Sequence, residues 1–157
     1  MATSKANNDV LPSNYKMDND SRGTALIINI DKYDSKSKQK EPKERVWSKK
    51  DVENLTNLLN YLEFSVIPCY NYTKAQIVKV LQEQKENSNH TTSDCFLLVV
   101  MSHGNKDYIV TSDNQTLYFE NIMEIIKSCT FLYNKPKFFS FKRVEVIKKW
   151  DQVRLIR

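Results

Sequence analysis

Glycine is almost absent from this chain: only Gly23 and Gly104 occur among 157 residues. Loops that cradle phosphates need several closely spaced glycines, so that backbone N–H groups can reach the ligand. A P-loop and a dinucleotide-binding turn are therefore excluded. Long apolar runs are missing as well. No stretch of about 18 apolar residues exists, which excludes a membrane-spanning helix, and no membrane partner is expected. The first residues, Met1 to Asp9, are polar and lack a signal-peptide core, so a cytoplasmic location is expected. Cysteine is scarce and dispersed, at Cys69, Cys95 and Cys129. An odd, widely spaced set reads as free thiols of a reducing compartment. There is no CxxC pair, and the two histidines, His90 and His103, stand apart. No zinc or other metal site, and no cofactor, is expected.

Positive charge is present but misplaced for a nucleic-acid binder. The formal net charge is +5. Residues 142–157 hold Lys142, Arg143, Lys148, Lys149, Arg154 and Arg157 against Glu145 and Asp151. The rest of the chain is close to neutral, so no nucleic-acid partner is expected.

What the chain does have is alternating apolar patterns. Residues 1–21 are polar and read as a flexible lead segment. Thr24 to Ile30 is a continuous apolar run, the mark of a strand covered on both faces. Val52, Leu55, Leu58, Leu59 and Leu62 recur at helical spacing and read as core. Phe64 to Tyr70 returns to a strand, with Pro68 favouring an edge. Thr73-Lys-Ala-Gln76 has the form of a capping box, opening a helix with Ile77, Val80 and Leu81 on one face. Asn87 to Ser93 is polar, and His90 within it reads as solvated. Cys95 to Met101 is the strongest buried-strand signal. Tyr108 to Thr111 begins a hairpin, Phe119 to Ile126 a helix, and Lys137 to Phe141 a last strand. This order predicts an α/β fold: a mostly parallel sheet with helices on both faces.

In such sheets, sites form beyond the carboxyl ends of central strands. Val99-Val100-Met101-Ser102-His103-Gly104 ends its strand at a histidine followed by a glycine. His103 is thus the candidate base.

Several segments together resemble the caspase family. Arg22 to Asn29 resembles its first strand. Asp51-Val-Glu-Asn-Leu55 with Leu62-Glu-Phe64 resembles its first helix and second strand. Asp94 to Gly104 resembles its histidine motif, and Asn134-Lys-Pro-Lys-Phe-Phe139 the approach to its cysteine. Tyr15-Lys16-Met17 matches the lead-in. The likeness spans about residues 15–141. It implies a cytoplasmic cysteine-type endopeptidase, linked to apoptosis, that cleaves peptides after aspartate. A thiolate attacks the carbonyl, a histidine moves protons, and a backbone N–H holds the oxyanion. By this resemblance His103 and Gly104 are the catalytic histidine and oxyanion glycine. Arg45 is an arginine that grips the substrate aspartate, for which a guanidinium is suited. Around Arg45 the pattern departs, with Trp47 in place of the usual Gly and Lys49 in place of Asp. The implied domains are a lead segment at 1–21, a large-subunit-like domain at 22–141 and a divergent basic tail at 142–157.

The nucleophile is missing. The family continues to Gln-Ala-Cys-x-Gly, whereas this chain reads Phe139-Ser-Phe-Lys-Arg-Val-Glu-Val146. The cysteine position falls on Val144, so the chain is expected to be inactive. Those eight residues can be encoded as TTT TCA TTC AAG CGT GTC GAG GTN. Read from the last base of the Phe139 codon, the string becomes TTC ATT CAA GCG TGT CGA GGT, or Phe-Ile-Gln-Ala-Cys-Arg-Gly. The chain is thus expected to leave an ancestral frame near Phe139, and sequencing of the transcript there should return those codons. Any other codon set refutes the reading. The resemblance further implies a three-layer sandwich lacking the small-subunit strands. Its sheet edge would be open to another caspase chain, so a regulatory pseudo-caspase is the alternative to a silent peptidase.

Overall fold

The computed structural model describes residues 15–34, 45 and 48–142, together with the strand backbone of residues 143 and 153–156. Residues 1–14, the middle of the loop before the first helix, and Val144 lie outside the described residues.

Alternating strands and helices build three layers. In chain order they are β1 (Ser21–Asn29), α1 (Ser48–Tyr61), β2 (Phe64–Tyr70), α2 (Lys74–Lys85), β3 (Ser93–Ser102), β4 (Tyr108–Val110), β5 (Thr116–Tyr118), α3 (Phe119–Lys127), β6 (Lys137–Arg143) and β7 (Val153–Ile156). The main sheet runs β2-β1-β3-β6-β7, and β4 and β5 form a separate hairpin. β2, β1, β3 and β6 are parallel, while β7 joins β6 antiparallel.

The continuous apolar runs of β1 and β3 have a physical cause. Leu26, Ile28, Phe96, Leu98 and Val100 point into one core with Ile77 and Leu81 of α2 and Ile122 and Ile126 of α3. Their neighbours Ala25, Ile27, Val99 and Met101 point the other way, under Val52 and Leu59 of α1. A strand covered on both faces has no polar side to alternate with. Pro68, which cannot donate to a ladder, sits on β2 at the sheet edge. The capping box also forms: Gln76 N–H donates to Thr73 Oγ1 at 3.3 Å, and Thr73 N–H donates to Gln76 Oε1 at 2.9 Å.

Three expectations change. The leucine stripe is not all core, because Leu58 is 53% and Leu62 44% exposed. Val52 and Leu59, seven residues apart, share the stripe facing the sheet. Leu58 is rotated about 100° from Leu59. The basic tail is more than an extension, since its Val153–Ile156 pairs with Lys137–Ser140. β6 itself continues to Arg143, two residues past Phe141.

His90, expected to be solvated, is fully buried. A short 3-10 turn at Ser88–Thr92 carries it inward, edge-on to Phe96 with ring centroids 5.5 Å apart. Neither ring nitrogen has a hydrogen-bond partner. Burial pushes its pKa below the usual imidazole range, Lys135 adds to this, and the Gln84 backbone opposes. The folded state therefore takes up the proton less readily than the unfolded chain. Stability should be full above about pH 6.5 and fall as the pH drops below it. Urea midpoints should decline from pH 7 to pH 5.5, and a His90→Leu variant should flatten that decline. Equal slopes in both proteins would refute it.

Candidate active site

The site lies at the carboxyl ends of β1 and β3. Asn29 is in register with Met101, and the Ile30 N–H donates to the Met101 carbonyl at 2.8 Å. The next residues on each strand leave the sheet together. The Tyr33 hydroxyl ties them: it accepts from the His103 N–H at 3.0 Å and lies 3.0 Å from Ser102 Oγ. It also donates to the Ile30 carbonyl at 3.3 Å. The Tyr33 and His103 rings are 5.5 Å apart, tilted by 51°. Burial pushes the Tyr33 phenol above its usual range, against the opposing hydrogen bonds from His103 and Ser102.

Gly104 is required by close approach. It bridges to Ile109 on the hairpin, and the Val110 N–H donates to the His103 carbonyl at 2.8 Å. A Cβ at position 104 would stand 2.2 Å from the Tyr108 carbonyl oxygen and 2.9 Å from Ile109 Cα. The hairpin thus holds the backbone after His103 from the side opposite Tyr33.

Arg45 is buried. Its Nη1 donates to Asn29 Oδ1 at 3.3 Å and to the Ile30 carbonyl at 3.1 Å. Asn29 Nδ2 donates to Ser48 Oγ, which donates to Asp31 Oδ2, each at 3.2 Å. Arg45 Nε and Asp31 Oδ1 are buried without hydrogen-bond partners. Burial lowers the Arg45 pKa, and the charges of Tyr33, Asp51 and Asp31 oppose this. The guanidinium therefore anchors the turn before α1 to the end of β1. The structure places both Arg45 and His103 around Tyr33, a residue the sequence reading had not singled out.

No described thiol reaches this site. Cys95 is seven strand residues before Ser102, about 23 Å away at the rise of a β-strand. Its Sγ donates to the Arg22 carbonyl at 3.2 Å, and burial, aided by Asp94, pushes its pKa up to about 11. Cys69 and Cys129 are buried in the core on the α2 and α3 side. Burial pushes the Cys69 thiol up as well. Among the described residues no group of three or more His, Cys, Asp or Glu could hold a metal. No described helix is long and apolar enough to cross a membrane.

Asp94 also has a visible task at the opposite end of the sheet. It takes Arg22 Nη1 on Oδ2 at 3.1 Å and the Asn19 N–H on Oδ1 at 2.9 Å. This clamps the starts of β1 and β3 together.

A family model described as Caspase domain matches residues 22–146. This chain belongs to the caspase family. Human Caspase-10 is 32% identical over 127 residues, covering 80% of this chain and 23% of that protein. Rat Caspase-6 is also 32% identical over 127 residues, covering 80% of this chain and 44% of its own length. A solved structure of Caspase-1 from Spodoptera frugiperda superposes with a TM-score of 0.73 at 29% identity, over 81% of this chain and 50% of that one. The structure of pro-sf-caspase-1 gives 0.76 at 27% identity, over 88% and 57%. The caspase fold is thus shown, and the chain spans less than half the length of these two curated relatives.

Proposed function

We propose that this chain is a catalytically silent, large-subunit-like caspase domain of the cytoplasm, tied by family to apoptotic proteolysis. One observation carries the reading. His103 and Gly104, read as the family's histidine and glycine, are held between Tyr33 and the hairpin, while each described thiol is buried. The nucleophile position falls on Val144, which has no group able to attack a carbonyl. Any residual recognition would be of a peptide carrying aspartate, through Arg45. The test is incubation of the purified chain with a fluorogenic peptide ending in aspartate. Release should match buffer alone. Sustained release above buffer that a His103→Ala change abolishes would overturn the proposal.

A regulatory pseudo-caspase that binds an active caspase is the second reading. It would use the outer side of β6, which takes an antiparallel strand, and a partner there would have to displace β7. Co-purification with an active caspase tests it, and failure to associate at micromolar concentration counts against it.

A further inference from the structure

The two edges of the main sheet are guarded differently. β2 carries Pro68 in mid-strand. It is flanked by Glu63 and Asn71, whose φ angles of 66° and 54° turn the chain sharply at both ends. That edge offers a poor template for pairing. The other side has no proline or glycine within β6, which reads Lys-Phe-Phe-Ser-Phe-Lys-Arg, and only its terminal charges oppose pairing. What covers it is β7, four residues of the basic tail. β7 is short, contains Arg154, and lies in a segment rich in lysine and arginine. Shortness and positive charge are the devices by which edge strands avoid further pairing.

β6 is also self-complementary. Laid antiparallel on a second β6 about Ser140, Phe139 would oppose Phe141 in both copies, and Phe138 would oppose Lys142. Cross-strand aromatic pairs are favourable contacts, whereas Lys142 is already held by Asp51 at 2.7 Å. Lys137 opposite Arg143 at the ends is the opposing cost. A two-fold axis through Ser140 keeps each sheet face on its own side, as a closed, isologous dimer requires.

We propose that β7 is an intrachain edge guard: seated, it keeps the protein monomeric, and released, it opens β6 to antiparallel pairing with β6 of a second copy. This is independent of whether the chain cleaves peptides. The full chain should run as a monomer of 18.5 kDa in light scattering at all concentrations. Arg154 faces Phe139 in a hydrogen-bonded pair, so Arg154→Pro removes a ladder donor from β7 and should give about twice that mass. Adding Ser140→Lys, which sets two lysines against each other at the axis, should restore the monomer. An Arg154→Pro chain that stays monomeric with its sheet intact by circular dichroism overturns the proposal. So does aggregation that Ser140→Lys fails to reduce. In the otherwise unaltered chain, Ser140→Cys with Val153→Cys joins register partners. Oxidation should give an intrachain disulfide, and a predominantly interchain cross-link would equally overturn the proposal.

Discussion

Gly23→Ala should lower the urea midpoint by at least about 1 M. Gly23 has a φ of +127°, which side-chain-bearing residues rarely adopt. An added Cβ would stand 1.9 Å from the Cys95 carbonyl oxygen and 2.9 Å from its carbon. Neither partner can yield. β1 is paired on both sides, with β2 and β3, and β3 is paired with β6. Strain and collision at such a site cost on the order of 3 kcal/mol or more. Total stability is about 5–15 kcal/mol, and the urea slope is about 1–3 kcal/mol per molar. Gly104→Ala makes a comparable collision, but against a hairpin of two three-residue strands outside the main sheet. That hairpin can shift, so its midpoint should fall less. A Gly23→Ala midpoint within error of the parent would show that the sheet relaxes freely there.

The second large effect is catalytic. In a serine protease, loss of the nucleophile costs about 10⁶ in kcat, close to 8 kcal/mol of barrier. A relocated thiol would have to recover that. With its pKa at about 11, Cys95 is a thiolate in about one molecule in ten thousand at pH 7. It also lies near the start of β3, the strand that His103 follows. Hydrolysis of an aspartate-ended peptide should therefore equal buffer, and His103→Ala should leave it there. Turnover that rises with pH toward 9 and disappears in Cys95→Ser would instead reveal a working buried thiol.

Much of this was legible in one dimension. Cys95 to Met101 announced a central strand because both of its faces meet apolar helices. Thr73 and Gln76 announced a helix start because capping is local. The Met-Ser-His-Gly context placed His103 at a carboxyl end. What failed depended on distant partners. The polar surroundings of His90 hid the turn that buries it against Phe96. Leu58 matched a helical period whose phase only the facing sheet could set. Tyr33 carries no local signal, since its role is to reach Ser102, 69 residues away in the chain.

The sequence by itself determined the layered α/β order, the caspase lineage and the candidate histidine. These follow from hydrophobic period and residue identity, which are properties of short segments. Tertiary structure decided the rest. It put Arg45 inside against Asn29 and Ile30, sealed the thiols in the core, and seated part of the basic tail on β6. Each of these depends on which backbone groups and side chains meet across the sheet, and no short window of sequence contains both halves of such a contact.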